Sequence, residues 1–243
     1  MVIERDSSRF TSFEKVYWKY YRELEKEFLQ TQKYVELSVD NWPTYSIEYL
    51  KLYQAVCSEI DVIGKAMAQV ANPAFKPEDK QNNIHKWWYE VQDVFLIGEG
   101  RFTHMNPSVH PCRFKIDEYK CFLLDVIEIQ PWDNYRTETS INRANKKIYK
   151  VVDKCKTPIW WTDYNKVKHS RIVPIGNKTT SNYHKANLGN VCKAFAALYV
   201  LERAYMDTVG TKDDMERFTD YSELFTGRRR YTSKEMDAIL DAL

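Results

Sequence analysis

From about Lys185 to Met206 the chain runs through ANLGNVCKAFAALYVLERAYM, which is apolar on nearly every side of a helical wheel. Leu188, Val191, Cys192, Phe195, Leu198, Tyr199 and Leu201 are spread around the helix, so other elements must surround it. A helix of this kind is the centre of a helical protein, and the rest of the chain has to supply its neighbours. Seven glycines and eight prolines in 243 residues are too few for a fold of many hairpins. The expected class is mainly α.

Two segments offer themselves as neighbours. From Ser46, the residues Tyr49, Leu52, Tyr53, Val56, Ile60, Ile63, Met67 and Val70 form one stripe at helical spacing, ended by Asn72-Pro73. Asp61 and Lys65 point away from the stripe, whereas Glu59 falls on its edge, where a carboxylate needs a donor from a neighbouring helix. Near the N-terminus, Thr11 followed three residues later by Glu14 has the pattern of a capping box. Phe13, Val16, Tyr20, Leu24 and Phe28 then predict an amphipathic helix to about Leu37, broken by Asn41-Trp42-Pro43.

The middle of the chain is less periodic. Residues 83–96, with Trp87, Trp88 and Val91, suggest a third helix closed by Gly98-Glu99-Gly100. RFTHMNPSVHPCRF reads as a loop. RFKIDEYKCFLLDVIEIQPW reads as two strands about a turn at Asp117-Glu118, so residues 97–132 are expected to be an insertion carrying a β-hairpin. The polar stretch from Asn134 to Lys150 fits a helix or a covering loop. The tail, 207–243, holds GRRRY and a short helix-like TSKEMDAILDAL. The whole is expected to be a single domain, with its bundle core in 46–71 and 157–206.

Charge and cysteine content narrow the partners. With 36 basic and 34 acidic residues the net charge is +2, so a nucleic-acid contact would need a local basic patch. The five cysteines are scattered, without a C-x-x-C pair, as expected of reduced thiols in a cytoplasmic protein. MVIERDSSRF has no apolar signal core, and no stretch approaches the roughly 20 apolar residues that span a bilayer. The chain lacks the P-loop, dinucleotide-binding and nucleophile-elbow patterns. His85, His104, His110 and His184 show no zinc-binding spacing, and His104, His110 and Cys112 form the one loose group of soft ligands. No metal and no cofactor is expected.

The densest chemistry lies in WWTDYNKVKHSR, from Trp160 to Arg171, after a helix start at Thr157-Pro158 and before a stop at Pro174-Ile175-Gly176. On a helix, Trp160, Tyr164 and Val167 share one face with Arg171 just beneath. Asn165 and His169, four apart, emerge as neighbours on the other side, flanked by Lys166 and Lys168. Trp160, Trp161 and Tyr164 then read as core anchors. Arg171 reads as a structural residue whose partner would be Glu59, or as a contact for substrate.

Asn165-Lys166-Val167-Lys168-His169 resembles the N-x-x-x-H part of the R-N-x-x-x-H signature of HEPN-like proteins (higher eukaryote and prokaryote nucleotide-binding). The wider phrase W-W-x-x-Y-N-K-V-K-H-x-R is similar to one in bacterial proteins of this general type. That family is an up-and-down helical bundle with a polar residue on an early helix facing the motif, and Glu59 is similar to that residue. The resemblance covers about residues 46–71 and 157–206. It departs at Tyr164, which stands where many active members have arginine.

The resemblance implies metal-independent RNA cleavage of a bacterial toxin or phage-defence type, with His169 as acid or base. A histidine that titrates near pH 6.5 can play either part. Asn165 would orient the ring or the phosphate, Lys168 would be the cation, and Lys166 and Arg171 would hold substrate. Glu59 and Tyr164 would be supporting residues. Such sites are often built where two chains meet, which implies a homodimer and an antitoxin or regulatory partner. The alternative is a catalytically silent bundle used for protein interaction or nucleotide sensing, which Tyr164 favours.

Overall fold

The computed structural model describes residues 3–80, 82–98, 113–176 and 179–227. The loop with His104, His110 and Cys112, the run Arg228-Arg229-Arg230 and the helix-like tail all lie outside these residues. The chain is mainly α-helical, with a few short antiparallel strands.

Two long helices form the axis of the core. Helix α6, Leu188–Val209, is capped by Asn187, whose side chain accepts from the backbone of Asn190, and it is buried on nearly all sides. Helix α3, Ile47–Ala71, packs against it. Ser46 caps α3 by accepting from Tyr49 N at 3.1 Å, and Asn72 ends it. Tyr53, Val56, Ile60, Ile63 and Met67 of its stripe are completely buried.

The first helix departs from its expected phase. It starts four residues before the Thr11 box, because Asp6 takes the cap position and accepts from Ser8 N at 2.8 Å. It runs as α1, Ser7–Phe13, a π turn, Glu14–Trp18, and α2, Lys19–Gln30. The π turn holds one residue more than an α turn, so every later side chain is rotated by about 100° relative to an unbroken helix. Val16 and Tyr20, expected inside, are 61% and 44% exposed, and Trp18 and Tyr21 take their places in the core.

Helix α4, Ile84–Val91, is capped by Asn83 and shorter than expected. It lies so close to α3 that a Cβ on Gly64 would meet the Trp87 ring at 2.7 Å. Strand β1, Leu96–Gly98, follows and pairs with β2, Arg113–Lys115. Strand β3, Cys121–Leu123, pairs with β4, Ile127–Ile129, on one side and with β7, Phe225–Thr226, on the other.

The expected hairpin about Asp117-Glu118 is therefore corrected. A turn does occur there, with Glu118 N donating to Lys115 O at 3.1 Å, but the strands flanking it pair elsewhere. The turn that joins paired strands is at Leu124 and Asp125, both in the left-handed region at φ 49° and 62°. The stretch read as helix or loop is a second hairpin, β5, Thr137–Ile141, with β6, Lys147–Val151. Gln92, the residue that caps the end of α4, clamps it, donating to Thr137 O at 2.8 Å and accepting from Thr137 N at 2.9 Å.

Helix α5, Ile159–Ser170, closes the bundle with Pro158 at its cap position. An aromatic layer locks it to the middle of the chain. Trp88 stacks on Trp132 at 4.4 Å, and Trp132 meets Trp160 edge-on at 5.2 Å. Each indole N–H reaches a carbonyl: Trp88 that of Tyr135, Trp132 that of Ala197 and Trp160 that of Pro131. Thus the large rings are buried without stranding a polar atom. Helix α7, Lys212–Arg217, follows α6. Buried Glu25 of α2 then accepts from Glu223 N and Leu224 N, which ties the last described segment to the first helix. No helix among the described residues is long and apolar enough to cross a membrane.

Candidate functional site

Helix α5 presents two different faces. Trp160, Tyr164 and Val167 are buried, and the hydroxyl of Tyr53 on α3 donates to Trp160 O. Lys166, Lys168 and His169 are exposed and Asn165 is half-buried. A third, lateral contact had no signal in the hydrophobic pattern. Asp163 is buried against α6, with Lys185 Nζ at 2.6 Å, Lys166 Nζ at 3.5 Å and Asn190 Nδ2 at 3.4 Å from its oxygens. Lys185 and Asn190 thus fix the rotation of α5 about its axis, and with it the direction in which Asn165 and His169 emerge.

That direction is a cleft of about 830 Å³ between α3, α4 and α5. It is lined by Asn165, Lys166, Lys168 and His169 of α5, by Ser58 and Asp61 of α3, and by Asn83 and His85 at the start of α4. Asp61 is held from both sides, by Lys65 Nζ at 2.5 Å and by Trp87 Nε1 at 3.1 Å. Lys168 makes no ion pair among the described residues, and its ammonium lies 5.6 Å from the centre of the Tyr164 ring. Asn165 spends one amide hydrogen on Trp161 O at 3.2 Å, one turn back along the helix, so its Oδ1 remains for a ligand.

His85 was not singled out by the sequence, since its spacing matches no motif. The structure brings it into the same cleft as His169. Its Nδ1 lies 2.8 Å from the hydroxyl of buried Tyr135, and burial lowers its pKa. The ring is therefore oriented and held neutral at neutral pH.

Two expected contacts are corrected. Glu59 does not face α5. It lies on the α6 side of α3, where burial pushes its carboxyl up to about 6. Its charge acts on Glu202, a fully buried residue that burial already holds well above the usual carboxylate range. The α3 carboxylate that faces the motif is Asp61, which helical spacing had placed away from the apolar stripe. Nor does Arg171 pair with Glu59. It is exposed at the end of α5, makes no ion pair among the described residues and does not line the cleft.

Tyr164 turns inward and packs edge-on to Tyr53 at 5.8 Å. Its hydroxyl is pushed up to about 12, by burial first and then by Cys57 and Asp61. Among the described residues, no three of His, Cys, Asp and Glu converge where they could hold a metal ion. Compared with protein-family models, with curated proteins and with solved structures, the chain gives no match.

Proposed function

We propose that the cleft between α3, α4 and α5 binds RNA and cleaves it without a metal, as an endoribonuclease of bacterial toxin or phage-defence type. The observation that carries this reading is that His169 and His85 line one cleft together with Asn165 and Lys168, which forms no ion pair among the described residues. Cleavage of this kind needs a base, an acid and a cation. His85, neutral through burial, takes the proton of the 2′-hydroxyl. The 2′-oxygen then attacks the adjacent phosphorus, and the 5′-oxygen leaves with a proton from His169, giving a 2′,3′-cyclic phosphate. Lys168 balances the charge that builds on the phosphorane, and Lys166 and Asn165 hold the phosphate in place.

The resemblance to HEPN-like proteins supports the same reading through Asn165 and His169, and the helical bundle is compatible with it. The proposal includes a homodimer and an antitoxin or regulatory partner, both read from that resemblance. Because His85 comes from the same chain as His169, a single copy holds both proton-transfer groups.

The deciding experiment incubates single-stranded RNA with the purified chain and with His169→Ala. Cyclic-phosphate ends from the parent and their loss in the variant support the reading. A variant that cuts as fast as its parent ends it. The second reading, a silent bundle for protein interaction or nucleotide sensing, is favoured by the inward turn of Tyr164. It gains if neither protein cuts RNA while a nucleotide or a protein partner protects the cleft residues from hydrogen exchange.

A further inference from the structure

A second cleft, of about 270 Å³, lies at the far end of α6. Three arginines from separate parts of the chain reach it: Arg5 ahead of α1, Arg113 on β2 and Arg203 on α6. Among the described residues they face one carboxylate, Asp207, which is already engaged. Its Oδ2 accepts from Gly98 N at 3.0 Å, and its Oδ1 is 3.7 Å from Arg203 Nη2, beyond hydrogen-bonding reach.

The guanidiniums have few partners of their own. Arg203 Nε is buried without a hydrogen bond among the described residues. Arg5 gives one hydrogen bond, to Gly210 O at 3.0 Å, and forms no ion pair among the described residues. Arg113 is exposed and likewise makes no ion pair among them. All three act on Asp207 and offset part of the upward push of its burial, which shows that their charges converge on one place.

Among the described residues, three guanidiniums against one carboxylate leave two positive charges in excess. Planar donors of this type match the oxygens of a phosphate, two at a time. We infer that this cleft is a phosphate-binding site, separate from the cleft of His169, that takes orthophosphate or the phosphate monoester at the end of a nucleotide or oligonucleotide. Arg113 and Arg5 grip it from the open side, and Arg203 meets it from within.

The test titrates the full-length chain with sodium phosphate against sodium chloride at matched ionic strength, reading melting temperature and heat of binding. A parallel titration compares a 5′-phosphorylated oligoribonucleotide with its 5′-hydroxyl counterpart. Saturable stabilisation by phosphate identifies the free ion as sufficient. Saturation by the phosphorylated oligonucleotide alone identifies the polymer end as the source. Arg113→Ala, an exposed change that leaves the core intact, is expected to weaken binding at least about ten-fold, the loss of one charge-assisted hydrogen bond. Arg113→Lys is expected to recover only part of that, because an ammonium lacks the fork. The inference falls if neither phosphate nor the phosphorylated oligonucleotide saturates beyond its control, or if Arg113→Ala and Arg5→Ala both bind as the parent does.

Discussion

The imidazole Nδ1 of His85 stands 2.8 Å from the hydroxyl oxygen of Tyr135, a tyrosine with no exposed surface. A tyrosine hydroxyl can donate to a neutral ring or accept from a protonated one, so it holds the imidazole through a full proton-transfer cycle. In the RNA-cleaving reading, Tyr135→Phe is expected to lower kcat about ten-fold with little change in KM, as general acid–base residues contribute more than this in total. His85→Ala should lose most of the activity. Equal kcat in Tyr135→Phe and parent would remove His85 from the proposed chemistry.

The same histidine sets a pH dependence. Burial lowers its pKa in the folded chain, so the unfolded chain binds protons more readily below its ordinary value of about 6.5. Stability contributed by neutral His85 is therefore present above that value and is lost as pH falls through the lowered one. The acid limb of the cleavage rate should also lie below pH 6.5, and His85→Asn should abolish that limb. A limb that survives in this variant belongs to another group.

Glu59 and Glu202 work in the opposite direction. Glu59 titrates at about 6, above the usual 4.5, so the folded chain keeps its proton longer than the unfolded one. Its contribution is favourable at low pH, declines as pH rises past 4.5 and is fully adverse above about 6. Glu59→Gln is expected to gain on the order of 1–2 kcal/mol at pH 8 and almost nothing at pH 4. Glu202, buried with both oxygens unpartnered among the described residues, should show the same sign on replacement by methionine. Melting curves at the two pH values read both variants, and a larger gain at the lower pH would contradict the burial argument.

Gly64 controls how close α4 comes to α3. Adding a methyl group there drives it to 2.7 Å from the rigid indole of Trp87, which cannot yield without moving the helix. Gly64→Ala is expected to destabilise the fold by about 1–3 kcal/mol, although alanine favours helix. Because Trp87 also holds Asp61, and α4 carries His85, the same change should widen the cleft. Urea denaturation gives the first effect and RNA cleavage the second. An unchanged midpoint would mean that the two helices part freely.

Asp163 sets the rotation of α5. Its replacement by alanine leaves Lys185 without its counter-charge at 2.6 Å, a loss of roughly 2 kcal/mol for a partly buried charge-assisted bond. Cleavage should fall further than stability, since Asn165 and His169 lose their fixed heading. Activity unaltered at a temperature where the variant stays folded would show that the rings alone orient the helix.

Several of these features could be read in the residues themselves. Ser46 and Asn72 bracket α3, and the all-round apolar run marks α6, because both depend on helical spacing and local capping. The two faces of α5 were legible for the same reason. Local spacing does not tell which neighbour a face will meet. It placed Asp61 away from the apolar stripe and Glu59 on its edge, yet it is the position of α4 and α5 that puts Asp61 at the cleft. His85 stayed hidden because its partner, Tyr135, is fifty residues away in sequence. The β5–β6 hairpin carries no apolar alternation to read, because its apolar residues Ile141 and Ile148 are exposed and its one buried residue is Thr137.

The π turn at Glu14–Trp18 sets which residues of the N-terminal helix reach the core. An unbroken α-helix would carry Val16 and Tyr20 inward, and the added residue sends Trp18 and Tyr21 there instead. The expected face and the observed one share Phe13, Leu24 and Phe28 and differ only around the π turn. Shortening the segment by one position would restore regular winding and turn one half, the Phe10 and Phe13 face or the Trp18 to Phe28 face, away from the interior.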